Sequence, residues 1–146
     1  MNVAAVMNIG QDVDQVGDIP TTCSSDFLIT VTSTDANDEL VGGSGFGVLN
    51  VDLAAPGAGI YTTFVSDNYG NIGGTSFAAP QVAGAIPLIL GYLCPALAVE
   101  YRNNPEAILL LLKNLLLQAT DTLSTLTGKV ASGGRLNLEK ALLAVQ

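Results

Sequence analysis

The run Gly74-Thr75-Ser76-Phe77-Ala78-Ala79-Pro80-Gln81-Val82-Ala83-Gly84 places one serine, Ser76, at the start of an apolar stretch that reads as a buried helix. A hydroxyl there lies in the positive field of the helix dipole. The unpartnered N–H groups of a helix start can hold a developing oxyanion. Gly73 and Gly74 leave room for a substrate chain to approach the backbone. Ala78, Ala79, Ala83 and Gly84 are small, so the helix can pack closely. This is the equipment of nucleophilic hydrolysis. The same residues also meet a simpler need, with Thr75 or Ser76 serving only as an N-cap. A serine nucleophile requires a base to take its proton, and the chain contains no histidine. Lys113, Lys129 and Lys140 are the candidate substitute bases, and none has a motif spacing to Ser76.

The elements that would position Ser76 follow from pattern. Val3–Met7, Phe27–Thr32, Val51–Ala54 and Ile60–Phe64 are short strand runs. Glycine-, proline- and aspartate-rich stretches separate them, among them Ala55-Pro56-Gly57-Ala58-Gly59 and the turn expected over 67–74. The second half is helical. Thr75 to about Leu93 is apolar on all faces and is expected to be central. Asn103-Asn104-Pro105-Glu106 opens a leucine-rich helix running to about Gln118, through an Asn cap, a first-turn Pro and an acid at the positive end. Leu136–Val145 is the last helix. Short apolar strands followed by apolar helices predict an α/β fold of three layers, a mainly parallel sheet flanked by helices, in one domain spanning 1–146.

Composition narrows the function classes. Of 146 residues 49% are hydrophobic and 12% charged, against about 25% charged in typical domains. The chain can build a core and is expected to expose apolar surface that marks a partner. The net charge of −8 disfavours nucleic acid and anionic membrane surfaces. Cys23 and Cys94 fit one disulfide or two free thiols. Val82–Val99 carries no charge, but Pro87, Gly91 and Pro95 interrupt it and no basic cluster flanks it, so a core helix is expected before a membrane span. Asp12, Asp14 and Asp18 suggest a calcium loop whose pattern fails at Val16 and Cys23, leaving a solvated acidic turn as the expectation. No metal or other cofactor is therefore expected. Met1–Gly10 has no signal-peptide pattern, and its strand-like opening suggests a boundary.

Four segments carry a resemblance. The Gly74–Gly84 run resembles the serine motif of the subtilisin-like serine proteases, the subtilases. Ala4-Ala5-Val6-Met7-Asn8-Ile9-Gly10 is similar to the strand and turn ending in that family's oxyanion-hole asparagine. Val51–Ile60 resembles its Ala-Pro-Gly segment, and Gly134–Leu142 its closing helix. The order matches, and the segments map onto the C-terminal part of the family's catalytic domain. The resemblance implies a partial subtilisin-like fold, Ser76 as nucleophile, and Asn8 with the Ser76 N–H as oxyanion donors. Thr75, Gly74 and Met7 would lie beside the oxyanion and substrate. Met7 stands where the family usually has glycine, so its side chain is expected to crowd that region. Gln81 replaces a histidine common after Pro80, a structural position. The family's Asp and His precede its Ser, and neither has a counterpart here.

Three readings follow. The chain is a serine endopeptidase portion acting on peptide or protein, inactive or nearly so alone. Or it is a non-catalytic remnant or split subunit, pairing with a complementary chain or with itself. Or, from Val82–Val99 and Ala107–Leu117, it is a membrane-associated helical protein. The family resemblance also implies secretion.

Overall fold

The computed structural model describes residues 1–146. Strands β1 (Asn2–Ala5), β2 (Leu28–Thr34) and β3 (Leu53–Pro56) lie side by side and parallel. Two-residue strands β6 (Asp121–Thr122) and β7 (Gly134–Arg135) extend the sheet to the order β1-β2-β3-β7-β6, with β6 antiparallel at the far edge. A separate antiparallel hairpin, β4 (Ile60–Thr63) and β5 (Tyr69–Ile72), leads into helix α2 (Thr75–Gly91). The hairpin's second strand lies where the sequence predicts only a turn, because glycine and asparagine lower its strand signal. Short helix α1 (Val13–Val16) follows β1. Helices α3 (Pro95–Asn103), α4 (Pro105–Gln118) and α5 (Leu138–Leu143) complete the chain.

β2 is buried along all seven residues, as a central parallel strand must be. Alternation splits it between two cores. Ile29 and Val31 join Leu53 and Ala55 of β3 beneath α2, α4 and α5. Thr30 and Thr32 face the other way, and there Val6, Val13, Val51, Ala54, Leu126 and Val130 form a smaller core. The third layer is thin, made of α1 and turns. Two of the polar side chains inside β2 are bonded to neighbouring segments: Thr32 Oγ1 donates to the Gly45 carbonyl at 2.6 Å, and the Thr30 N–H and hydroxyl both reach Asp52, whereas the buried hydroxyl of Thr34, at the end of the strand, has no partner.

The cap of α4 is the expected one, with Asn104 accepting from the Ala107 N–H and Pro105 in the first turn. Its buried line, Ile108, Leu112 and Leu116, recurs every fourth residue. α2 departs from the sequence reading. It buries Thr75, Ala78, Ala79, Val82, Ala85 and Ile89, while Pro80, Ala83, Gly84, Pro87 and Leu88 are exposed. The helix is apolar on two faces, and this chain covers one of them. The uncharged run 82–99 breaks after Gly91, and α2 and α3 meet at 107°. No single helix is long and apolar enough to cross a membrane. Cys23 and Cys94 are free thiols.

Candidate active site

The chain leaves β1 through Val6 and Met7 and reaches Asn8, which meets the first turn of α2. Asn8 Oδ1 accepts the Thr75 N–H at 3.0 Å and lies 3.2 Å from Thr75 Oγ1. The Thr75 hydroxyl donates to the Val6 carbonyl at 2.5 Å, inside the protein. An N–H can only donate, so the oxygen of the Asn8 amide is the atom turned toward Thr75. Nδ2 is thereby left as the free donor. Ser76 is the second residue of α2 and is exposed. Its N–H belongs to the first turn, where no carbonyl precedes it in the helix. Asn8 Nδ2, the Ser76 N–H and Ser76 Oγ make no hydrogen bond within the chain.

Gly57 positions this turn, a role the sequence reading assigned only to a generic turn. The Gly74 N–H donates to the Gly57 carbonyl at 2.7 Å. A Cβ on Gly57 would come within 2.4 Å of Ser33 Cβ and 2.8 Å of the Gly74 carbonyl. A Cβ on Gly73 would meet the Gly57 carbonyl at 3.0 Å, and one on Gly74 would meet Asn8 Oδ1 at 3.3 Å. Gly74 has φ 143° as well, a backbone that side chains disfavour. The pair Gly73-Gly74 is thus required by close approach within the protein, not only by space for a substrate. Gln81 Nε2 donates to the Pro56 carbonyl at 2.6 Å, tying α2 to the end of β3.

Met7 is adjacent to Asn8 in sequence but packs its side chain against the smaller core. A Cβ on Gly45 would lie 3.1 Å from Met7 Cγ, so Gly45 makes the room. The crowding expected from Met7 is therefore absorbed inward. The three lysines are engaged elsewhere. Lys113 Nζ donates to the carbonyl of Leu28, the first residue of β2, and sits 3.6 Å from Asp52. That is the opposite end of the sheet from Asn8. Lys129 stacks over Phe46, and Lys140 pairs with Asp121.

The acidic residues after Asn8 are not a solvated turn. Asp12 caps α1 by accepting from the Asp14 N–H. Asp14 accepts from the Leu49 and Asn50 N–H groups, and Asp18 from the Met7 N–H and the Thr21 hydroxyl. Each carboxylate serves its own set of donors. These residues do not fit a calcium site, which needs several oxygens converging on one point.

The subtilase family pattern matches residues 2–134. The chain is 36% identical to subtilisin DY of Bacillus licheniformis over 102 residues, 70% of this chain and 36% of that protein. It is 31% identical to an extracellular protease of Xanthomonas campestris pv. campestris, over 95% of this chain and 23% of the other. A mutant of EpiP, the epidermin leader peptide processing serine protease of Staphylococcus aureus, superposes with a TM-score of 0.79 at 26% identity, covering 100% of this chain and 41% of that one. The chain therefore spans well under half the length of these relatives. On the strength of the match over residues 2–134 and of the shared fold, the chain belongs to the subtilase family of serine proteases and corresponds to part of its domain.

Proposed function

We propose that residues 1–146 are the C-terminal portion of a serine endopeptidase domain, with Ser76 as nucleophile and Asn8 Nδ2 plus the Ser76 N–H as oxyanion donors. The observation that supports this most is the fixed amide of Asn8, whose oxygen is held by Thr75 so that its donor is left free beside the helix start. In that reaction Ser76 Oγ attacks the carbonyl carbon of a peptide bond and loses its proton to a base. The carbonyl oxygen gains the charge and takes hydrogen bonds from the two donors. The C–N bond then breaks, the departing amine takes the proton, and water later releases the acyl group from Ser76. This chain supplies the nucleophile and the donors. With no histidine it supplies no base, so alone it is inactive or nearly so. Gly74 and Thr75 hold the turn, and Met7 serves the core beside it. A peptide or protein is the substrate class, and the reaction needs no cofactor.

A second reading is a split subunit that works with a chain carrying the base. The uncovered apolar face of α2, which begins at Ser76, favours it.

Two measurements test the proposal. A fluorophosphonate probe should leave the folded chain unlabelled. Labelling that vanishes in Ser76→Ala would instead show an activated serine and overturn the inactivity. A peptide boronic acid forms a tetrahedral adduct on a serine hydroxyl. It should shift the NMR signals of the Asn8 side-chain amide and the Ser76 N–H. Shifts confined to other residues would overturn the assignment of the site.

A further inference from the structure

Pro80 stands inside helix α2, four residues after Ser76. A proline has no N–H, so the Ser76 carbonyl loses its partner in the helical ladder, and the ring crowds that carbonyl. Helices bend at such positions. The first turn of α2, which carries Thr75 and Ser76, is therefore joined to the rest of the helix by one bond fewer. Another contact must fix where that turn stands.

Gln81, the next residue, is half-buried, and its side chain spans the gap. An amide nitrogen carries two donors, and Nε2 meets two carbonyls, Pro56 at 2.6 Å and Phe77 at 3.3 Å. Phe77 directly follows Ser76, and Pro56 ends β3. Beyond Pro56, the Gly57 N–H donates to the Thr34 carbonyl at 2.9 Å, and the Gly57 carbonyl accepts from the Gly74 N–H at 2.7 Å. Gln81 thus grips the helix start at Phe77 and the sheet at Pro56, while Gly57 grips the same turn at Gly74. Between the two grips lie Ser76 and Thr75, whose N–H holds the Asn8 amide. The packing leaves little slack: a Cβ on Gly57 would lie 3.2 Å from Ala78 Cβ.

We propose that Gln81 is a positioning residue for the Ser76 turn: its amide stands in for the ladder bond that Pro80 removes and sets where Ser76 lies relative to Asn8. It makes no hydrogen bond to Ser76 or Asn8 and acts through Phe77 and through the Pro56–Gly57 corner. The role of this position is therefore more specific than the structural one assigned from the sequence. The inference rests on the Ser76–Asn8 reading for its purpose and on the hydrogen bonds around Gly57 for its geometry.

The test compares the parent with two variants. Gln81→Met keeps the length and loses the donors. Thr125→Val loses a side-chain bond of the same kind outside α2, to the Asp38 carbonyl at 2.7 Å. In Gln81→Met the Gly74 and Thr75 N–H groups should exchange about tenfold faster relative to those of Leu112 and Leu116 in α4, and the NMR signals of the Asn8 side-chain amide should move. Thr125→Val should affect all four amides alike and leave the Asn8 signals in place. A peptide boronic acid should bind Gln81→Met about tenfold more weakly than it binds the parent, and Thr125→Val equally well. Equal acceleration of all four amides in Gln81→Met would make Gln81 a general stabiliser and overturn the proposal. Faster exchange at Gly74 and Thr75 with unchanged boronic acid affinity would overturn it as well. A parent that binds no boronic acid would sink the reading of Ser76 and Asn8, while the exchange rates would still decide whether Gln81 sets the turn. If Gln81→Met fails to fold, the parent decides alone. Its Gln81 side-chain amide should exchange about tenfold more slowly than that of the exposed Gln11, and equal rates would remove the bond on which the proposal stands.

Discussion

Thr75 joins two segments far apart in sequence. Its N–H fixes the Asn8 amide and its hydroxyl satisfies the Val6 carbonyl at the end of β1. Thr75→Val keeps the shape and the N–H but leaves that carbonyl buried without its donor. We expect a loss of about 1–3 kcal/mol, the range for a buried polar group stripped of its partner. Urea denaturation reads it directly, and an unchanged midpoint would show that the hydroxyl bond carries no weight. The sequence singles out Ser76 and Asn8 because each sits in a contiguous motif, and the fold brings Asn8 to the first turn of the helix that carries Ser76. The Thr75 hydroxyl, and the pairing of Gly57 with Gly73 and Gly74, were not legible in the sequence. They depend on contacts between residues that only the folded backbone brings together. Met7 shows the same limit: its neighbour in sequence is Asn8, but its neighbours in space are the residues of the smaller core.

At the scale of elements, the C-terminal end of the domain is held by one charged clasp. Asp121 on β6 accepts from Lys140 of α5, from Asn137, which caps α5, and from Arg135 of β7. Arg135 also pairs with Asp38, beyond the end of β2. The Lys140 ammonium first, then the Asn137 amide and Arg135, lower the Asp121 carboxyl to about 2. Its ordinary value is 3.8. A carboxyl more acidic when folded than when unfolded stabilises the fold above the unfolded value, and this contribution is lost as pH falls through the folded one. Asp121→Asn should therefore be less stable than the parent at pH 7. The difference should shrink between about pH 4 and pH 2. Stability curves that stay equally far apart across that window would remove the clasp from the account. β6 and β7 were invisible in the sequence because each is two residues long and exists through long-range pairing, with no hydrophobic run of its own. β2 and α4 were plain for the opposite reason: a buried run and a capped, leucine-rich repeat are local signals.

The whole molecule is a sheet with a thick helical layer on one side and one apolar helix face left open. α2 illustrates why composition alone misjudged it. An uncharged run reads as buried on every side, but burial requires a partner on every side, and this chain provides one. Leu88 is 41% exposed on the open face, and Tyr92, at the helix end, is 54% exposed. Contiguous uncovered apolar surface is what hydrophobic dyes bind. The folded chain should therefore bind a hydrophobic dye, and Leu88→Lys should weaken that binding. The substitution removes little packing and places a cation toward the helix C-terminus, where the dipole favours it. Its effect on stability should stay within about 0.5 kcal/mol. The two readouts separate the alternatives. Weaker dye binding at unchanged stability is the signature of a face that awaits a partner. A large loss of stability would mean that Leu88 already serves the core, and unchanged dye binding would move the open apolar surface elsewhere on the molecule.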